Sequence, residues 1–171
     1  ALEDLEKAQR LKPHIKQIWD LVVSLNTQVG HYSTAISLLI NMIEIDPNHE
    51  KSFALLAACN HKADSSALAI QSFKKVLEVR PNDVTTLVNF GIALAKQDNL
   101  VESTDAFNKA IAIRPDYTEA HYNLGIVLTH RGRLDEAEAS YKQTIALRPD
   151  YAEAYYSFGN TLQKLGRLEE A

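Results

Sequence analysis

Few side chains in this sequence have the spacing that catalysis or metal binding needs. His49-Glu50 begins like the pair on a zinc protease helix, but Phe53 stands where the second histidine should fall. The six histidines provide no persuasive ligand pair beside a cysteine or carboxylate, and the single Cys59 has no evident base. There is also no glycine loop of the kind that cradles phosphates. We therefore expect a protein that is not an enzyme and that holds no metal and no cofactor.

One set of basic residues has a spacing that could bind a ligand. Lys62, Lys96, His130 and Lys164 follow one another at intervals of 34 residues. Aligned in one row, their charges could neutralise an acidic peptide tail or a carboxylate. A structural role is the alternative, because the helix dipole favours a lysine near a helix C-terminus by about 0.3–1 kcal/mol.

The prolines repeat at the same interval as these basic residues. The five of them, Pro13, Pro47, Pro81, Pro115 and Pro149, each lie 34 residues after the one before. A strict period indicates one supersecondary unit copied along the chain. Apolar residues recur at helical spacing in two bursts per period, which predicts two helices per unit. The first helices are predicted at 16–29, 50–63, 84–97, 118–131 and 152–165, and the second helices at 2–12, 34–46, 68–80, 102–114 and 136–148.

Two further rows of residues predict where the helices end and begin. The first helices should end at a row that favours glycine or a small polar residue, namely Gly30, Asp64, Asp98, Gly132 and Gly166. The residues after the prolines can cap the next helices, and these are Asn48, Asn82, Asp116 and Asp150.

Small residues recur where helices should pack closely. In the first helices they form the column Val23, Ala57, Gly91, Gly125 and Gly159, where two helix backbones can approach. In the second helices a small residue precedes a larger one by four positions, as in Ser103 with Phe107 and Ala137 with Tyr141. We expect the larger side chain to fill the gap that the small residues leave.

These columns carry a family resemblance. His121, Leu124, Gly125, Ala137, Tyr141 and Pro149 resemble the tetratricopeptide repeat, and Trp19, Val22, Val23, Ala35 and Pro47 resemble it less cleanly. The resemblance implies an all-α fold, a right-handed superhelical solenoid of antiparallel helix pairs in a single array over 1–171. The predicted divisions are a second helix of a truncated repeat at 1–15, full repeats at 16–49, 50–83, 84–117 and 118–151, and a truncated repeat at 152–171.

The resemblance also implies a concave groove, lined by the first helices, that receives an extended peptide or a partner helix. Its predicted peptide-binding residues are Asn89, Asn123, Tyr122, Tyr156, Asn160, Lys62, Lys96, His130 and Lys164. In the similar repeats of protein O-linked N-acetylglucosamine transferases, asparagines in the column of Asn89 and Asn123 grip the peptide backbone, because a carboxamide both donates and accepts. Tyr122 and Tyr156 offer an apolar floor for a ligand, or alternatively cover the neighbouring unit.

One specificity of this family is not expected here. Repeats that clamp the acidic tails of heat-shock chaperones use a lysine and an asparagine one helical turn apart. This chain has Asp20 with Ser24, Ala54 with Ala58, and Val88 with Ile92 in their places. The ligand is therefore expected to differ from those tails.

Composition limits the other classes of partner. The net charge of -4 and the pI near 5.9 come from interspersed charges, which argues against nucleic acid or an anionic membrane as the partner. No apolar run approaches the roughly 20 residues of a membrane-spanning helix. A single cysteine suits the cytoplasm or another reducing intracellular compartment.

Two functions from different classes are left open by the sequence. The first is a protein interaction scaffold that binds a protein or peptide ligand in its groove. The second is the substrate-recognition arm of a larger enzyme such as a glycosyltransferase, whose catalytic domain would lie outside this segment. Self-association is a further possibility, because neither end carries the polar capping helix that repeat arrays normally need.

Overall fold

A computed structural model describes residues 7, 16–46, 49–63 and 65–167 of the chain. Its described part contains nine α-helices and no strand. The helices are α1 (Lys16–Gln28), α2 (Tyr32–Ile45), α3 (Glu50–Lys62), α4 (Ser66–Val79), α5 (Val84–Lys96), α6 (Leu100–Ile113), α7 (Thr118–His130), α8 (Leu134–Leu147) and α9 (Ala152–Lys164). The helix predicted at 2–12, apart from Lys7, lies outside the described residues, as do Pro13, Pro47, Asn48 and Asp64.

The turns that follow the first helices have the predicted backbone chemistry. Gly30, Asp98, Gly132 and Gly166 all have positive φ, between 59° and 82°. This left-handed conformation ends a helix, and glycine adopts it without the steric penalty that a Cβ brings. Asp98 is the one aspartate in this described row, and a short polar side chain tolerates the same conformation. The row predicted from the sequence is therefore confirmed at these four positions.

The second helices start two residues earlier than predicted. Helix α8, for example, begins at Leu134 and not at residue 136, directly after the single N-cap residue Arg133. The left-handed residue reverses the chain so tightly that one residue suffices before the next helix begins. The prediction began each second helix too late because it followed the apolar pattern.

The predicted helix caps after the prolines are wrong in the described residues. Helix α5 is capped by Asp83, whose side chain accepts a hydrogen bond from the Thr86 N–H at 2.8 Å, and not by Asn82. The N-cap positions of α7 and α9 are Tyr117 and Tyr151. Asp116 and Asp150 occupy the third position of β-turns, closed by Tyr117 N–H to Arg114 O at 3.1 Å and Tyr151 N–H to Arg148 O at 3.2 Å. Proline at the second position of a turn places the following residue inside that turn.

Contacts divide the chain into two compact units, Ala1–Pro81 and Asn82–Ala171. In unit 1, Trp19, Ile36, Leu39, Ile43 and Leu56 form a buried apolar cluster. Each of these side chains is withdrawn from water almost completely, so the cluster supplies the main hydrophobic stabilisation of this unit.

In unit 2, the core is built around close contacts between glycines and aromatic rings. A Cβ added to Gly91 would lie 2.7 Å from the Phe107 ring, and one added to Gly125 would lie 2.7 Å from the Tyr141 ring. Both rings are almost fully buried, with exposures of 0% and 1%. The predicted close approach is therefore confirmed at these two glycines, and the aromatic ring of the second helix fills the space beside each one.

An ion cluster attaches the residue after α9 to helix α8. Glu138 is 9% exposed and accepts hydrogen bonds from Arg167 at 2.5 Å and from Lys142 at 2.7 Å. The hydrogen bond from Lys142, followed by that from Arg167, lowers the pKa of the Glu138 carboxyl below its ordinary value, against the opposing effect of burial. The charged form of Glu138 is therefore the form that the folded chain stabilises.

Acid should weaken this cluster, with a sign that follows from the lowered pKa. The contribution of Glu138 to stability is present above its unfolded pKa and is lost as the pH falls through its folded pKa. We expect Glu138→Gln to lower the free energy of unfolding by about 1 kcal/mol or less at pH 7, since the basic partners are solvent-exposed. The difference from the parent chain should shrink towards pH 3, as measured by urea unfolding at both pH values. A difference that grows in acid would contradict the lowered pKa.

In the described residues, none of the helices combines the length and the apolar character that crossing a membrane requires.

Candidate functional site

The predicted peptide-binding residues, apart from Lys62, lie on three neighbouring helices of unit 2. Helix α5 contacts α7, and α7 contacts α9. Within each helix the predicted residues are spaced four, seven or eight positions apart, which places them on one side. We call this surface the first-helix face, and it comprises Asn89, Lys96, Tyr122, Asn123, His130, Tyr156, Asn160 and Lys164. Lys62 lies on α3, in unit 1.

The residues of the first-helix face differ in how far they reach into solvent. Tyr156 is 74% exposed, an unusual state for a tyrosine ring. Asn160 and the three basic side chains are also exposed, whereas Asn89, Tyr122 and Asn123 are half-buried. Ile92 and Ile126, on the same helices, are half-buried too. The face therefore offers apolar and aromatic surface together with polar groups that water can reach.

Aromatic packing fixes the position of Tyr122 on this face. Its ring centroid lies 4.9 Å from that of Tyr151, with an angle of 39° between the ring planes, and 6.3 Å from that of Tyr141. The Arg148 guanidinium carbon lies 5.0 Å from the centroid of the Tyr151 ring and stacks on it. Tyr122 is thus held by its neighbours, whereas Tyr156 reaches further into solvent.

A salt bridge completes the support of Tyr122. Arg148 donates to the Glu119 carboxylate at 2.8 Å, which links the end of α8 to the first turn of α7. Burial works to raise the pKa of Glu119, but the hydrogen bond and charge of Arg148, with a backbone hydrogen bond, lower it overall. Glu119 therefore keeps the charge that orients Arg148 over Tyr151.

The sequence-based prediction missed Arg148, Tyr151 and Glu119. A signal for the first two was present, because the sequence Arg-Pro-Asp-Tyr occurs at both 114–117 and 148–151. In the earlier copy, the Arg114 guanidinium carbon lies 4.9 Å from the centroid of the Tyr117 ring. The repeated tetrapeptide therefore encodes an arginine stacked on the tyrosine three residues later.

Asn123 has already used part of its hydrogen-bonding capacity. Its Nδ2 donates to the backbone oxygen of Glu119, one turn earlier on α7, at 2.7 Å. This bond fixes the direction of the carboxamide and leaves Oδ1 as an acceptor. Asn123 therefore presents a fixed acceptor on the first-helix face, which is a narrower role than the sequence predicts.

The basic residues of the face differ from many others on the surface. In the described part of the chain, neither Lys96 nor Lys164 has a carboxylate within salt-bridge distance. By contrast, Arg133 pairs with Glu136 at 2.6 Å and Lys142 pairs with Glu138 at 2.7 Å. The charges of Lys96 and Lys164 are thus available to an incoming group.

The residues considered for catalysis have structural surroundings. His121 is 9% exposed and its Nε2 lies 2.8 Å from the Pro115 oxygen, while His49 Nδ1 lies 2.6 Å from Ser52 Oγ. Cys59 is buried, with its Sγ 3.7 Å from Thr27 Oγ1. Among the described residues, no three histidine, cysteine or acidic side chains are grouped as metal ligands would be.

Unit 1 contains a separate open cleft of about 580 Å³. It lies between the beginnings of α2 and α4, and its lining includes His31, Tyr32, Thr34 and Ser65. None of the predicted peptide-binding residues lines it, so it does not belong to the first-helix face.

Matches to known families cover the C-terminal part of the chain. Residues 127–166 match the family described as TPR repeat, and residues 106–139 match the family described as Tetratricopeptide repeat. Residues 106–166 are tetratricopeptide repeats. No curated protein sequence matches the chain.

Solved structures show that the tetratricopeptide fold extends well beyond these residues. The MamA protein is 26% identical, with a TM-score of 0.77, over 90% of this chain and 84% of its own. YrrB, described as a TPR protein with an unusual peptide-binding site, is 20% identical, with a TM-score of 0.73, over 99% of this chain and 88% of its own. The first TPR of Spaghetti, bound to the HSP90 peptide SRMEEVD, is 22% identical, with a TM-score of 0.63, over 64% of this chain and 87% of its own. The predicted fold class, an all-α tetratricopeptide solenoid of helix pairs, is confirmed.

Proposed function

We propose that this protein is an interaction scaffold that binds a peptide segment of a partner protein across the first-helix face of unit 2. The observation that carries the proposal is the 74% exposure of Tyr156 on a face that also presents asparagine and lysine side chains. An exposed aromatic ring beside ordered polar groups is the combination from which binding hot spots are built.

The order of the surrounding residues supports this assignment. Arg148 and Tyr151 hold Tyr122, and the hydrogen bond to Glu119 O orients Asn123. Binding therefore requires little ordering of these two side chains, and the entropic cost of capture is lowered. The peptide-binding site in the description of YrrB, and the peptide bound to Spaghetti, support a peptide as the class of ligand.

Tyr156→Ala combined with Asn123→Ala should weaken peptide binding about tenfold or more, because an aromatic anchor and a fixed acceptor are both lost. Peptides would first be selected from a random dodecapeptide phage library on the parent chain, then labelled and titrated by fluorescence anisotropy. The melting temperature should change little, since Tyr156 is 74% exposed.

Tyr155→Ala is the matched control for this experiment. Tyr155 is on the same helix and 48% exposed, but the next position along a helix points to a different side. It should leave peptide affinity near that of the parent chain. Equal affinity of the parent and the double variant would count against the first-helix face as the binding site.

Several finer predictions from the sequence are part of the proposal and not of the findings. They include a ligand role for Lys62, the single array with its repeat boundaries, the likeness to O-linked N-acetylglucosamine transferase repeats, and self-association through the ends. No contact or distance described above favours the second candidate, an arm of a larger enzyme.

A further inference from the structure

The helix spacing of unit 2 sets a distance scale for a ligand. Lys96, His130 and Lys164 lie at the C-terminal ends of α5, α7 and α9, and these helices contact one another in that order. Packed helices have axes about 8–10 Å apart. Because the three residues occupy the same place on each helix, their basic groups recur across the first-helix face in steps of about 8–10 Å.

These basic groups have little local competition for an acidic ligand. All three side chains are exposed, and among the described residues Lys96 and Lys164 form no ion pair. The nearest acid in sequence to Lys96 is Asp98, an exposed residue in the left-handed turn after the helix. Positive charge at regular steps therefore faces solvent without a carboxylate paired to either lysine.

The asparagines beside this row indicate the conformation of the ligand. Asn89, Asn123 and Asn160 place carboxamides along the same face, and Asn123 retains its Oδ1 as an acceptor. A carboxamide can bond to a peptide backbone only where that backbone has unpaired N–H and C=O groups. An extended peptide has such groups throughout, whereas the interior of an α-helix has none.

The geometry points to an extended peptide with a carboxylate at every third residue as the ligand of this face. In the polyproline II conformation three residues advance the chain by about 9 Å and return the side chain to the same side. Successive carboxylates then meet Lys96, His130 and Lys164, and the apolar residues between them contact Tyr122 and Tyr156. This inference rests on the proposed function and adds to it a charge and a register.

The competing role of the same residues is structural. A cation at the carboxyl end of a helix offsets the negative end of the helix dipole. The two roles differ in their consequences, because the structural role affects thermal stability while the binding role affects affinity and depends on the spacing of acids in the ligand.

Two fluorescein-labelled nonapeptides of identical composition test the register. One repeats Glu-Pro-Val three times, and the other, Glu-Val-Glu-Pro-Glu-Pro-Val-Pro-Val, places its glutamates at every second position. We expect the first peptide to bind about fivefold or more tightly in anisotropy titrations, because loss of register removes exposed ion pairs that each contribute a small factor. Lys96→Met with Lys164→Met should abolish this preference. Lys109→Met, which removes an exposed lysine from α6 and not from the first-helix face, should retain it.

Three results would overturn the inference. The first is equal or undetectable binding of the two peptides to the parent chain. The second is tighter binding of a helix-forming peptide with a glutamate at every seventh position, since that ligand matches the same spacing without an extended backbone. The third is a double lysine variant that melts at a lower temperature but keeps the register preference, which would assign the lysines to the helix dipole. If both nonapeptides bind equally and Tyr156→Ala weakens both, the proposed function survives and only the register fails.

Discussion

Tyr141→Ala is expected to lower the free energy of unfolding by about 3–5 kcal/mol, the usual cost of removing a large aromatic side chain from a core. The ring is 1% exposed and packs against Gly125, where an added Cβ would lie only 2.7 Å from it. The Phe158 ring centroid lies 6.5 Å away, so the cavity would open between α7, α8 and α9. Urea unfolding followed by far-UV circular dichroism measures the loss.

Tyr141→Phe is the control that separates ring packing from the hydroxyl group. The Tyr141 hydroxyl lies 3.4 Å from Thr129 Oγ1, a long hydrogen bond, and burial raises the pKa of the hydroxyl. Removing the hydroxyl alone should cost about 1 kcal/mol or less, because a single neutral hydrogen bond contributes about that much. A similar loss for both variants would mean that ring packing does not hold these helices together.

Gly125→Leu should also destabilise the chain, by about 1–3 kcal/mol, through overpacking against the same ring. Replacing a glycine inside a helix gains roughly 0.5–1 kcal/mol of helix propensity, which works in the opposite direction. The steric cost is expected to win, because the new Cβ would lie within 2.7–2.9 Å of three atoms of a ring that is itself buried. The same urea measurement tests the sign as well as the size of the effect.

Two further variants make the Gly125 experiment specific. Ala139→Leu introduces the same side chain at an exposed position of α8 and should change stability by no more than about 0.5 kcal/mol. Gly125→Leu combined with Tyr141→Ala should lose less than the sum of the single losses, because the leucine enters the cavity left by the ring. Additive losses would contradict direct contact between the two positions.

The first-helix face shows the limit of a sequence-based reading most clearly. Tyr122 and Tyr156 occupy the same position of successive units, yet Tyr122 is half-buried against Tyr151 and Tyr156 is 74% exposed. Residue type and register are identical at the two sites. The difference arises from which ring lies beside each tyrosine, and that depends on packing between separate segments.

The sequence by itself determined the helices, their pairing and the left-handed turns, because these follow from local backbone chemistry. The prolines, Gly30, Gly132 and the apolar spacing act within a few residues, so their effects can be read directly from a repeating pattern. It also determined the close contacts of Gly91 and Gly125, since only a residue without a side chain permits them.

Only the tertiary structure decided which polar side chains are already occupied and which are available. Asp116 and Asp150 enter turns and do not cap helices, Asn123 bonds to its own helix, and Arg148 joins Glu119 across a separation of 29 residues. Lys96 and Lys164 stay unpaired within the described residues, although charged residues are frequent in the sequence. Hydrogen bonds and ion pairs between distant segments depend on angles and distances of a few ångströms, which residue spacing alone does not specify.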